Sequence, residues 1–130
     1  MILDLPHLTE EIRCRSFCEI CGKTRRFIEV SFDCCHALTR GAGHVDARFN
    51  LVAGHRLCHS RIDSEPGGSE KLLTIACRRE GCKVEDAREA IFAIRRLPKR
   101  ASPERIEAEL RRLRPAVRRL VTEALAEIPK

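Results

Sequence analysis

"FNLVAGHRLCHSRID", residues 49–63, is the stretch on which the fold turns. Its short apolar run reads as a strand or turn, and from Arg56 to Ser64 the pattern turns helical. Between the two sits His55-x-x-Cys58-His59. An exposed loop has no packing reason to carry two imidazoles and a thiol within five positions, so partners for a metal are to be sought elsewhere.

They stand upstream, with 33 residues between Cys21 and His55, in "CEICGKTRR" (18–26), whose Cys18-x-x-Cys21-Gly22 has the form of a zinc knuckle. Tetrahedral zinc takes four soft or borderline ligands, and two short turns that each offer two side chains supply them with little loop strain. Cys18, Cys21, His55 and Cys58 are therefore the expected ligands of a structural Zn²⁺. Four protein ligands would close the site to water. The plainer alternative is a buried cysteine cluster without metal.

The composition points the same way. Five Phe and no Tyr or Trp leave little aromatic area for a core, so 130 residues with eight cysteines are expected to be stapled. With no leader-like start and no membrane-length apolar run, the chain reads as cytoplasmic, where clustered thiols more often bind metal than pair. The net charge of +6 is unevenly placed. Residues 1–70 carry 9 Lys/Arg against 10 Asp/Glu, and residues 71–130 carry 16 against 9. A near-neutral half joined to a basic half suggests a chemical module with a polyanion-binding extension.

Local signals divide the chain into 1–66 and 67–130, at the breaker "EPGGS" (65–69). Upstream, Thr9-Glu10-Glu11 opens a short helix, "FIEVSF" (27–32) alternates like a half-buried strand, and "TRGAGH" (39–44) is a glycine-containing loop. Downstream, Ser69 is the expected N-cap of a helix that ends at Gly81, with Cys77 and Cys82 making the contact of a Schellman motif. A second helix is expected from about Glu85 to Leu97. A third begins at Ser102-Pro103, and Pro115 must kink or split it. Its apolar stripe is expected to pack on residues 70–97, with a homodimer through these helices as the alternative.

The order "CEIC…DCCHALTRGAGHVDARFNLVAGHRLCH" resembles the HNH endonucleases, the ββα-metal or His-Me finger nucleases, in the small zinc-stapled form common in phages. The resemblance covers roughly Cys18 to Asp63 and implies an α+β fold: a zinc-stapled treble-clef ββα-metal (HNH) core with an α-helical C-terminal extension. It further implies metal-dependent hydrolysis of DNA phosphodiester bonds, leaving 5′-phosphate and 3′-hydroxyl ends. On that resemblance His36 falls on the general base, Asn50 on the third signature position, and His59 on the ligand of one catalytic divalent metal (Mg²⁺, Mn²⁺, Ni²⁺ or Zn²⁺).

Two positions depart from the family pattern. Cys35 stands where an Asp or His ligand to that metal is usual, and a thiolate suits thiophilic ions better than Mg²⁺. Asp33, on the same strand face, could replace it if the strand bends. His55 stands where Cys is usual, and zinc accepts either. The DNA contacts expected are Arg40 beside the site and Arg95, Arg96, Arg100, Arg111, Arg112 and Arg118 on the basic helices, all phosphate-directed and largely sequence-blind. His44 and Asp46, in the loop between His36 and Asn50, read as solvated residues, with contact to metal or phosphate as the alternative. The rival function is a non-catalytic zinc module that binds nucleic acid or protein.

Overall fold

The computed structural model describes residues 1–25, 31–38 and 44–130. It is α+β, with six helices and one two-stranded antiparallel sheet among those residues. Arg40 and residues 27–30 of the expected strand lie outside the described residues.

Helix α1 (Pro6–Arg13) starts on a proline at its first position, where a missing N–H costs nothing, three residues ahead of the expected Thr9 start. It buries Leu8, Thr9 and Ile12. Strand β1 (Asp33–His36) pairs with β2 (Leu51–Gly54) in the register Asp33↔Gly54 to His36↔Leu51. All four β2 residues are buried, which explains why that stretch reads as a continuous apolar run without alternation. A 3₁₀ turn (Arg48–Asn50) feeds β2, and α2 (Arg56–Ser64) leaves it at once, over the residues expected.

Helix α3 (Gly68–Glu80) begins one residue before Ser69, because Gly67 in the left-handed region (φ 75°) turns the chain into it. It ends at Gly81 (φ 72°), where the Cys82 N–H donates to the Cys77 carbonyl at 3.0 Å, the closing bond of the expected Schellman motif. Helix α4 spans Val84–Arg96. Ser102 caps α5 (Pro103–Arg111) by accepting from the Arg105 N–H at 3.3 Å. Pro115 splits the expected third helix and opens α6 (Pro115–Ala126).

The apolar stripe of α6 (Val117, Leu120, Val121, Ala124) is buried, and its main neighbour is α4. None of the residues of α5 is buried. One core cluster runs from Leu3 and Leu8 through Val52, Leu72 and Ile91 to Val121 and Ala124. Residues 1–66 and 67–130 thus bury their apolar faces against each other, and α3 packs directly on β2 and the 3₁₀ turn. No helix is long and apolar enough to cross a membrane among the described residues.

Candidate metal centre and the histidine groups

The turn from Phe17 to Thr24 folds back on itself, with the Gly22 N–H donating to the Cys18 carbonyl at 2.8 Å and Gly22 at φ 79°. It delivers Cys18 and Cys21. Where β2 gives way to α2, His55 occupies the N-cap position and Cys58 lies in the first turn. Candidate ligand atoms of Cys18, Cys21, His55 and Cys58 all lie within 4.8 Å of one another, so the four could hold a metal ion such as zinc.

Three features of this chain suit that use. Backbone N–H groups of Cys21 and His55 each donate to Cys18 Sγ at 3.4 Å, outer contacts that fix the sulfur in place. His55 Nδ1 faces Cys21 Sγ at 3.3 Å and Cys58 Sγ at 3.7 Å, while Nε2 is 2.9 Å from the Thr24 carbonyl. The carbonyl can only accept, so Nε2 carries the proton and Nδ1 is left as the ligating nitrogen. Finally, burial and the neighbouring Cys21 and Cys18 sulfurs push the Cys58 thiol up to about 11, a crowding that a divalent cation relieves.

The other predicted residues fall into two groups on opposite faces of β1, since strand side chains alternate. Asp33 and Cys35 point toward α2. There His59 Nδ1 is 3.1 Å from Asp33 Oδ2, and His59 Nε2 is 3.2 Å from Asp63 Oδ2. Asp33 makes that contact with β1 in regular register, so no strand bend is needed. Cys35 is wholly buried, and burial with the nearby Cys34 and carboxylates pushes its thiol far up, keeping it protonated. Cys34 is likewise pushed up to about 12 by burial.

On the other face, His36 Nε2 lies 2.7 Å from Asp46 Oδ1, and His44 Nε2 lies 2.7 Å from the same oxygen. Asp46 is wholly buried, and its Oδ2 accepts from the Leu5 N–H at 2.7 Å. Burial pushes that carboxyl up, but the His36 and Leu5 hydrogen bonds and the two imidazoles outweigh it and hold the group below its ordinary value. Asn50, also wholly buried, is spent on backbone: its Oδ1 accepts from the Leu38 N–H at 2.8 Å and its Nδ2 donates to the Val45 carbonyl at 2.9 Å. His36 and His59 are not brought into one ligand group.

Sequence reasoning passed over Asp63, although its place four residues after His59 on one helix face was a usable signal. It preferred solvation for His44 and Asp46 over contact with metal or phosphate, because nothing local distinguishes them. The basic residues divide as well. Arg118 donates to the Leu110, Arg111 and Leu113 carbonyls at 3.1, 3.3 and 3.0 Å, closing the C-terminus of α5. Arg111 pairs with Glu107 at 3.0 Å and Arg112 with the half-buried Glu109 at 3.7 Å, both guanidinium groups well exposed. Arg95 stacks near Phe92, and Arg96 and Arg100 are exposed or nearly so. In comparisons with protein-family models, curated proteins and solved structures, nothing matches this chain.

Proposed function

We propose that this chain is a metal-dependent DNA endonuclease of the HNH type, with a zinc-stapled treble-clef ββα-metal core in which His36 is the general base. The observation that carries the reading is the buried Asp46 carboxylate 2.7 Å from His36 Nε2 at the end of β1. A carboxylate there accepts the Nε2 proton and leaves Nδ1 as the basic nitrogen. As Nδ1 takes a proton from the water that attacks phosphorus, Asp46 offsets the imidazolium charge. Asn50 holds the segments that carry His36 and Asp46 together through its bonds to Leu38 and Val45.

His59 and Asp33, with Asp63 beside them, would hold the catalytic divalent ion. Once bound, such an ion supplies charge neutralisation at the scissile phosphate and the leaving oxygen. The imidazole–carboxylate donor set fits several divalent ions, and Asp33 rather than the buried Cys35 is the strand residue within reach of His59. A structural Zn²⁺ on Cys18, Cys21, His55 and Cys58 fixes the start of α2 and thereby His59. Arg95, Arg96, Arg100, Arg111 and Arg112 supply phosphate contacts to DNA, whereas Arg118 serves α5. Pairing of two copies through the C-terminal helices would fall to α5, since the α6 stripe is already covered.

A second reading, a zinc module that binds nucleic acid or protein without cleaving it, is favoured by one observation. His36 and His59 sit in separate hydrogen-bonded groups on opposite faces of β1. A supercoiled-plasmid nicking assay across Mg²⁺, Mn²⁺, Co²⁺, Ni²⁺ and Zn²⁺ separates the two. The nuclease nicks, and His36→Ala lowers the rate at least roughly 100-fold while DNA retention is unchanged. No nicking with any of these ions, despite retained DNA, establishes the second reading instead.

A further inference from the structure

We infer that His36, His44 and Asp46 form a second divalent-metal site, separate from the Cys/His cluster and selective for borderline ions of the Zn²⁺, Co²⁺ and Ni²⁺ class. Candidate ligand atoms of the three residues lie within 4.8 Å of one another. Both Nε2 atoms converge on a single carboxylate oxygen at 2.7 Å, with the ring centroids 4.6 Å apart and the planes tilted by 52°. Two imidazoles and one carboxylate suit borderline first-row ions, and the lack of further oxygen ligands disfavours Mg²⁺.

The ligands are held in place before any ion arrives. The Leu3 N–H donates to the His44 carbonyl at 2.8 Å and the Asp46 N–H to the Leu3 carbonyl at 2.7 Å, so the N-terminal segment clamps the backbone on both sides of Val45. The Leu5 N–H fixes the far oxygen of Asp46 at 2.7 Å, an outer contact of the kind that orients ligating carboxylates. His36 is anchored from its own side, where the Ala37 N–H donates to the Asn50 carbonyl at 2.9 Å. Little side-chain freedom remains to be lost on binding.

The site is also open enough to load. The His36 and His44 side chains keep 10% and 23% of their surface exposed, whereas Asp46 is wholly buried. Water can complete the coordination there. Asp4, 72% exposed, lies with its Oδ1 3.9 Å from His44 Nε2 and adds negative charge at the entrance. Binding moves no net charge onto the rings. Each imidazole gives up its Nε2–H tautomer for the Nδ1–H form, and Nε2 becomes the donor atom.

Metal occupancy here needs no nuclease activity, but its consequence rests on the nuclease reading. An ion on His36 Nε2 forces the proton onto Nδ1, the nitrogen that reading requires to be free. Loading and hydrolysis therefore exclude each other, and excess Zn²⁺ switches the enzyme off.

The test is a Co²⁺ and Zn²⁺ titration of the full metal-free chain, read by native mass and by absorption. One Co²⁺ on the Cys/His cluster brings an intense thiolate-to-metal band, and a second, on His36, His44 and Asp46, brings only weak ligand-field absorption. The proposed catalytic ligands His59, Asp33 and Asp63 can take a further ion of that same weak kind, so the titration is run on His59→Ala, where two ions per chain are expected. Adding His44→Ala to that variant keeps the first ion and weakens the second at least about tenfold. Saturation at one ion, a second ion with thiolate absorption, or a second ion bound equally well once His44 is replaced overturns the site. Should the double variant fail to fold, the ion count and spectra of His59→Ala decide alone. No DNA enters these measurements, so absence of plasmid nicking leaves the ion count untouched, and a single ion leaves the nicking result untouched.

Discussion

Arg79 shows how much can rest on one side chain. Its Nη1 donates to both carboxylate oxygens of Glu19 at 2.7 and 2.8 Å, and its Nη2 to the Arg48 and Leu51 carbonyls at 2.5 and 2.9 Å. Glu19 stands between Cys18 and Cys21 in the metal turn and also accepts from the Ala53 N–H at 2.9 Å. Both partners are largely buried, at 16% and 8% side-chain exposure. One guanidinium therefore ties α3 to the metal turn, to the 3₁₀ turn and to β2. Arg79→Met leaves the buried Glu19 carboxylate with the Ala53 N–H and the more distant Arg15 Nε at 3.9 Å, and is expected to cost about 3–5 kcal/mol in urea unfolding. Arg111→Ala, which removes an exposed pair, should cost under about 1 kcal/mol. Adding Glu19→Leu to Arg79→Met should recover much of the loss, because the stranded charge goes with it. Equal midpoints for Arg79→Met and Arg111→Ala would show that the pair is not held out of water.

At the scale of elements, the turn from α2 to α3 uses two adjacent glycines for different reasons. Gly67 needs its positive φ of 75°, with nothing within 4 Å of where a Cβ would sit. Gly68 has no such φ, but a Cβ there would stand 1.9 Å from the Ile62 carbonyl oxygen. Gly67→Ala should therefore cost about 1–2 kcal/mol of backbone strain. Gly68→Ala must push the end of α2 away from α3, at about 1–3 kcal/mol or more, and should also disturb His59 one turn earlier. Gly67→Asn, an L residue that tolerates the left-handed region, should restore part of the loss, while Gly68→Asn should not. If both alanine variants melt together and both asparagines rescue, the contact with Ile62 is not what fixes Gly68.

The same junction shows what the sequence makes legible. Breakers and caps are local: EPGGS, Gly81 before Cys82, Ser102-Pro103 and Pro115 each act within a few residues, and the helices start and stop close to them. The Cys-x-x-Cys and His-x-x-Cys pairs are legible because the chain spacing is the ligand geometry. His44 and Asp46 are different. Their meeting with His36 is arranged by a bridge from Leu3 to Val45, 42 residues apart, and by the Leu5 N–H, neither of which leaves a periodic trace. Arg118 reads as one cation in a row, and only the α5–α6 turn reveals that its fork closes three carbonyls.

For the whole molecule, the decisive fact is that the core does not stop at the breaker. Leu72, Leu73, Ala76 and Cys77 of α3 are buried in the same cluster as Val52 of β2 and Ile91 of α4. The N-terminal ammonium group of Met1 reaches the Arg95 and Leu97 carbonyls at 2.8 and 2.6 Å, and Arg48 reaches Glu127 at 2.8 Å. An ion on Cys18, Cys21, His55 and Cys58 joins a turn to the start of α2, whose Ile62 enters that same core. Through Ile62 the staple is coupled to the core that all the C-terminal helices but α5 share, so its removal should be felt by them. At free Zn²⁺ a thousandfold above Kd, linkage gives about 4 kcal/mol of stabilisation. For a chain of this size that corresponds to roughly 10–20 °C in Tm. Calorimetry with and without a strong chelator is expected to show one transition in each case, lower by that amount when the metal is stripped, with far-UV circular dichroism following the same curve. Two transitions after chelation, the later one unchanged in position, would mean that residues 67–130 hold themselves together and that the basic helices are a unit of their own.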